Sequence, residues 1–293
     1  MMAFPACMKG EGPIEETLQL ILADTAFEVV EFSWIKDPAV RARVKQMIAW
    51  SGIDARYAAH PRLLSQKLDL NSLDETARLR AVAEMKAGLD EAAELGLREF
   101  VLLSGWDVAP EKRPAAMDAL EKSLASLCAH AAQHRQNVVL ELFDREIDKK
   151  CLIGPVGSGL EIAERIKRSH TNFGLLVDLS HIPLIPETPA QALIPLREHL
   201  VHVHIGNAYI GKTRTDPVWG DHHPRFGYPG GANDVPEIVE FLRVLFQIGY
   251  LKADGSARGA ISFELKPVGD ENSMLMLAAA KRKLGEAWAQ LVL

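Results

Sequence analysis

LVHVHIGN, residues 200–207, reads as a short buried strand. Side chains two apart in a strand share a face, so His202 and His204 point one way. Val201, Val203 and Ile205 take the other face, suited to packing beneath a helix. An unpartnered buried polar group costs on the order of 1–3 kcal/mol. Imidazoles on an otherwise apolar strand therefore call for a partner. A metal ion bound by at least one of them meets that need, and the other ligands are then expected elsewhere in the chain.

On both sides of this stretch, apolar segments alternate with amphipathic ones. Strands are expected at 4–8, 27–34, 54–60, 100–104, 138–143, 173–179, 200–207 and 260–265. Helices are expected at 13–23, 38–50, 72–95, 114–134, 160–168, 190–199, 235–248 and 271–291. Pro38 suits a first helical turn and Gly96 a helix end. Eight strand-then-helix units imply parallel strands with crossover helices, an α/β fold. Eight is also the closing number of a (β/α)8 TIM barrel, a parallel eight-stranded barrel with outer helices; without the first unit, an open doubly wound sheet is the alternative. No Gly-x-Gly-x-x-Gly follows the first strand to open a dinucleotide site. No change in composition or charge divides the chain, so residues 1–293 are read as one domain. The loop at 209–232 exceeds the roughly 12–15 residues of an ordinary connection. With Trp219, Asp221, His222, His223, Arg225 and Phe226 it reads as a binding loop.

The 293 residues suffice for one large barrel, which needs about 250. With 48% apolar and 25% charged residues the chain has the composition of a soluble globular protein. Cys7, Cys128 and Cys151 form no disulfide or zinc-ribbon pattern, which suits a reducing compartment. The start has no basic stretch leading into a long apolar core, so no signal peptide is expected. No apolar run approaches the roughly 20 residues of a membrane span. A net charge of −6 argues against a nucleic-acid groove. A cytoplasmic protein with a small-molecule partner, not a membrane or nucleic acid, fits these traits.

Four consecutive strands each carry a polar group near the C-terminal end: Glu141, Asp178, His204 and Glu264. In an α/β barrel those ends converge on the active-site face. Period-two counting turns Leu140, Val177 and Phe263 towards the helices. Three carboxylates and an imidazole in one space repel and resist burial unless a divalent cation sits among them. A mixed oxygen and nitrogen set suits manganese, magnesium or cobalt.

The motifs VVLELFDRE, LLVDLSHIP, VHVHIGN and ISFELKP resemble the xylose-isomerase-like TIM-barrel superfamily over nearly the whole chain. That superfamily includes sugar-phosphate isomerases and epimerases, inosose-processing enzymes and abasic-site endonucleases. The resemblance implies that Glu141, Asp178, His204 and Glu264 bind one divalent cation, Mn2+ foremost, with Mg2+ or Co2+ as alternatives. It implies that Glu141 and Glu264 also exchange the substrate proton, and that His181 touches substrate or a second metal. The implied activity, in carbohydrate metabolism, is sugar isomerisation or epimerisation: a carboxylate takes a proton beside a carbonyl and the metal stabilises the enediolate. His202, one inward step deeper, is expected to orient a neighbouring carboxylate or water.

Around this core, His60 and the aromatics Trp34 and Trp106 are candidates for the sugar pocket, with core packing the alternative for both tryptophans. Arg145, His202, Asp221, His222 and Lys266 complete the substrate-binding set, and His223 joins the catalytic one. Arg145 matches an arginine of some ketose epimerases. Ile147 and Ile210 replace a glutamate and an arginine expected there, which points away from a ketose 3-epimerase. Asp221 and His223 also resemble the Asp-x-His of abasic-site endonucleases, but the fourth strand ends Leu103-Ser104-Gly105 where that family has a metal-binding histidine. LFDREIDKKCLIGP and DHHPRFGYPGG are compatible with C-glycoside deglycosidases, lyases that act on 3-oxo-glycosides, with His222 or His223 as acid or base. The expected assembly is a homo-oligomer, or a complex with a small partner subunit under the lyase reading.

Overall fold

Residues 4–8, expected as the first strand, instead contain a single 3-10 turn, Pro5–Cys7. Pro5 has no N–H to donate to a ladder. Gly10 and Gly12, with φ of 77° and 95°, then turn the chain. A Cβ at Gly12 would lie 2.7 Å from the Ala6 carbonyl oxygen, so this reversal requires glycine.

A computed structural model of the chain describes residues 2–211 and 213–292. Met1, Leu293 and Lys212, the last within the expected binding loop, lie outside the described residues. From the N-terminus the chain forms α1 (Ile14–Leu22), β1 (Val29–Phe32), α2 (Pro38–Ser51) and β2 (Asp54–Ala58). Next come α3 (His60–Ser65), α4 (Glu75–Glu94), β3 (Glu99–Leu103) and α5 (Arg113–Gln133). β4 (Asn137–Leu142), α6 (Val156–Lys167), β5 (Phe173–Asp178) and α7 (Pro189–Leu193) follow. The chain closes with β6 (Leu200–Gly206), α8 (Val235–Gln247), β7 (Ala260–Glu264) and α9 (Ser273–Ala289).

The strands lie in one sheet in the order β1 to β7. The pairs β1–β2, β2–β3, β5–β6 and β6–β7 are parallel. This is an α/β fold of the (β/α)8 TIM-barrel class. Local chemistry sets most of the element ends. Asp37 caps α2 by accepting from Ala39 N, with Pro38 in the first turn. Asp74 caps α4 through Thr76 N and Ala77 N, and the chain leaves that helix through Gly96 with φ of 81°. Two expectations shift. β2 stops at Ala58, and His60 opens α3, because Pro61 in its first turn has no N–H for a strand ladder. The helix expected at 190–199 is only α7, fixed by a Thr188–Gln191 capping box.

By internal contacts the chain divides into two compact units. One comprises Ala3–Leu140 with Ile162–Gly174, the other Glu141–Glu161 with Leu175 onward. In the first, Tyr57 and Phe100 are fully buried and stack at 5.2 Å between ring centroids. In the second, Leu176 and Val203 are buried along with Phe241 and Leu245 of α8. Among the described residues no helix is long and apolar enough to cross a membrane.

Candidate metal centre

The four expected ligands all fall in the second unit, at or near the C-terminal ends of β4 to β7. The sheet register explains their levels. Asp178 pairs with His204, His204 with Ser262, and Gly206 with Glu264, so Glu264 stands one two-residue step beyond the Asp178–His204 level. Gly206 makes room for this: an added Cβ would lie 2.7 Å from the Glu264 carbonyl oxygen and 3.2 Å from Asp178 Oδ1. One candidate ligand atom each from Glu141, Asp178, His204 and Glu264 lies within 4.8 Å of all the others. Glu141, Asp178 and His204 are buried, while the Glu264 side chain is 20% exposed, the one of the four most open to an incoming molecule.

His204 Nδ1 lies 2.7 Å from Glu264 Oε2 and 3.7 Å from Glu141 Oε1. Asp178 Oδ1 accepts from Ser180 N at 2.7 Å, whereas its buried Oδ2 has no hydrogen bond. Burial pushes the Asp178 carboxyl up to about 6, opposed by the His181 imidazole and reinforced by Glu264. A compact set of three carboxylates and one imidazole, with a carboxylate oxygen left over, fits a divalent cation. The hard oxygens with one nitrogen suit Mn2+, Mg2+ or Co2+.

Against this cluster lies a second one, built from His181 after β5 and from Asp221 and His223 of the loop at 209–232. His181 Nδ1 lies 2.7 Å from the Leu142 carbonyl, which can only accept, so that nitrogen carries the proton. Its Nε2 faces Asp221 Oδ1 at 3.3 Å. His223 Nδ1 lies 3.2 Å from the Glu264 carbonyl and 3.8 Å from Asp178 Oδ2, while its Nε2 contacts Asp221 Oδ1 at 2.9 Å. Each ring thus faces an acceptor from both nitrogens, the pattern of an imidazolium. Burial opposes the charge, but Asp221 and neighbouring carboxylates outweigh it, raising His181 to about 10 and His223 to about 9. Burial likewise opposes ionisation of Asp221, yet His223, Lys149 and His181 hold its carboxyl well below the usual range.

Lys149 is the group that sequence reasoning missed. Its Nζ lies 2.9 Å from Asp148 Oδ2 and 3.0 Å from Asp221 Oδ2, and these carboxylates keep it charged despite burial. Asp144 creates the position: its carboxylate accepts from the backbone N–H groups of Ile147, Asp148 and Lys149 and curls the segment after β4. An aspartate followed by a polar run was the available signal, inside LFDREIDKK. Asp221 N in turn donates to Asp148 Oδ2, tying the two loops together.

Described residues of the loop at 209–232 make polar contacts within the loop and with its flanks. Tyr209 and Gly220 exchange two backbone hydrogen bonds, and Trp219 Nε1 donates to the Gly211 carbonyl. Asn207, one residue past β6, donates to the Arg225 carbonyl and accepts from Asn233 N. His223 sits in the left-handed region with φ of 53°, a conformation uncommon outside glycine.

His202 is fully buried, 3.0 Å from Ser262 Oγ and edge-on to His204. Arg145 donates to the Leu152 carbonyl in its own loop. His222 and Lys266 are half-buried, and burial lowers His222. Lys266 N donates to the His223 carbonyl. Trp34, His60 and Trp106 belong to the first unit. There Trp34 lies beneath Lys36 and Arg62 at 4.9 and 5.3 Å, with its Nε1 buried and lacking a hydrogen bond. Trp106 is 40% exposed and its carbonyl accepts from Asn71. Phe143, not singled out in the sequence, packs on the His181 ring at 4.3 Å.

The family model for xylose isomerase-like TIM barrels matches residues 20–280. The chain belongs to this family. Solved structures similar to this xylose isomerase-like barrel include a D-tagatose 3-epimerase-like protein, 17% identical with a TM-score of 0.71 over 97% of each chain. An L-ribulose 3-epimerase is 20% identical, with a TM-score of 0.71 over 95% of this chain and 92% of that one. A 3-keto-D-glucoside 4-epimerase from E. coli is 19% identical, with a TM-score of 0.59 over 86% and 85%. At these identities the likeness is one of fold. No curated protein matches the chain in sequence.

Proposed function

We propose that the chain is a divalent-metal-dependent sugar epimerase or isomerase that moves a proton at the carbon beside a carbonyl. The observation that carries this reading is the convergence of Glu141, Asp178, His204 and Glu264 on one buried point. These four residues would hold the cation, Mn2+ foremost. When bound, such an ion polarises a carbonyl or neighbouring hydroxyl and so acidifies the adjacent C–H. Glu264 is proposed to take that proton; its carboxylate being the most open of the set, and lying 2.7 Å from His204 Nδ1, supports this. Glu141, fully enclosed, is proposed to return a proton. Paired carboxylates permit epimerisation, and return at the neighbouring carbon gives aldose–ketose exchange. His181 and His223, whose ring nitrogens all face acceptors, are proposed to bind a substrate oxygen by exchanging the Nε2 contact with Asp221 for it. The likeness to several sugar epimerases supports the same class.

A second reading, lyase action on a 3-oxo-glycoside, is favoured by the imidazolium of His223 beside Glu264. His223 would protonate the leaving aglycone oxygen or carbon while Glu264 takes the proton next to the oxo group. The similarity to a 3-keto-D-glucoside 4-epimerase makes 3-oxo sugars a natural substrate class to test.

The test is incubation of ketoses and 3-oxo-glycosides with the Mn2+-loaded protein in heavy water. Deuterium is expected at the carbon beside the carbonyl, and Glu264→Gln abolishes its incorporation. Release of a free aglycone selects the lyase reading. Full activity in chelator, with no metal bound, would refute both.

A further inference from the structure

The helices of the first unit carry another histidine cluster, which the proposed reaction does not use. Asp90 lies on α4, His130 in the last turn of α5, and His134 at the C-terminal cap of α5. Residues four apart on a helix share one face. Both imidazoles use that face to approach the same atom: Asp90 Oδ1 lies 2.7 Å from His130 Nε2 and 3.4 Å from His134 Nε2. The two rings are 5.7 Å apart and inclined by 63°, so they converge without stacking. One candidate ligand atom from each residue lies within 4.8 Å of the other two.

Asp90 Oδ1 has two lone pairs, so hydrogen bonds from both rings fit this geometry. A tetrahedral ion gathered by the three groups fits it as well. Ligands held at about 2.0–2.1 Å from tetrahedral zinc stand about 3.3 Å from one another. The His134 contact already has that spacing, and the His130 contact reaches it by opening about 0.6 Å. The side chains can make this adjustment, being 57% (Asp90), 21% (His130) and 37% (His134) exposed. The same exposure leaves the fourth position to water.

We propose that Asp90, His130 and His134 bind a borderline divalent transition ion, Zn2+, Cu2+ or Ni2+, that clasps α4 to α5. The donor chemistry separates this site from the cluster at the strand ends. Two imidazoles and one carboxylate suit zinc, copper or nickel, whereas three carboxylates and one imidazole suit manganese or magnesium. The unfolded chain does not hold the three groups together, so binding stabilises the folded form. The clasp is independent of the proposed sugar chemistry and stands or falls separately.

The test titrates Zn2+ calorimetrically into the full chain as wild type, His134→Ala and Glu264→Gln. Wild type and Glu264→Gln are expected to share one class of zinc site that His134→Ala lacks. Saturating Zn2+ should raise the Tm of Glu264→Gln by roughly 5 °C and that of the Glu264→Gln/His134→Ala double variant by much less. Cu2+ added to Glu264→Gln should show nitrogen couplings from two imidazoles by electron paramagnetic resonance, and from one after His134→Ala. His130→Ala, scored in the same way, guards against an indirect effect of the helix cap. Equal zinc stoichiometry and equal Tm response with and without His134 and His130 would overturn the proposal. So would zinc binding that disappears with Glu264→Gln while surviving His134→Ala.

Discussion

Asp178→Asn separates the energetic load of the strand-end cluster from its ability to hold a metal. Asparagine keeps the size of the side chain and can still accept from Ser180 N through Oδ1, the 2.7 Å contact of the wild type. It removes the charge from a carboxylate whose Oδ2 is buried without a hydrogen bond. Burial raises this carboxyl from 3.8 to about 6 in the ion-free protein. The folded chain therefore binds the proton more tightly than the unfolded chain. Stability falls as pH rises from about 4 to about 6, and the full penalty is present above that. Two units correspond to about 3 kcal/mol. Coulomb repulsion gives a similar figure: two carboxylate charges about 5 Å apart at an effective dielectric constant near 20 repel by about 3 kcal/mol. In chelator at pH 7.5, Asp178→Asn is thus expected to be more stable than wild type by up to about 3 kcal/mol, a Tm rise of roughly 5–10 °C. At pH 4 the gain should vanish, because the wild-type carboxyl is then protonated. With Mn2+ the order should reverse, since wild type gains binding energy and the variant does not. Urea and thermal unfolding at the two pH values, with and without Mn2+, measure all three. An Asp178→Asn chain that is no more stable than wild type in chelator at pH 7.5 would refute the charge argument, and one that still binds Mn2+ normally would remove Asp178 from the ligand set.

Three further outcomes follow from the same geometry. Because a proton on Asp178 competes with the cation, Mn2+ affinity should fall about tenfold per pH unit below about 6, read by calorimetry between pH 5 and 7.5. Lys149→Met strips the buried Asp221 of its 3.0 Å ammonium partner and should cost about 2–3 kcal/mol in urea unfolding, at or below the usual range for a broken buried pair because the lysine is partly solvated. Gly231→Ala would place a Cβ 2.5 Å from Asn207 Nδ2, so hydrogen exchange should rise across 209–232 with a stability loss of about 1–3 kcal/mol.

Much of the candidate site was legible because strands have period two. VVLELF, LLVDLS, VHVHIG and ISFEL each carry an apolar approach to one polar side chain, so counting along the strand assigns the face without tertiary information. The same counting failed at residues 4–8, where apolar composition resembled a strand but Pro5 and the glycines at 10 and 12 made a turn. It failed again at His60, where Pro61 moved the histidine from strand end to helix start.

By itself, the sequence determined the class of fold and named the four metal-ligand candidates and the loop after β6 as a candidate binding loop, because these depend on local periodicity and residue chemistry. Tertiary structure alone decided how the loops meet. Lys149 and Asp221 are 72 residues apart, and Asp90 and His130 are 40 apart. No periodicity links positions that distant; only the packed chain sets their spacing.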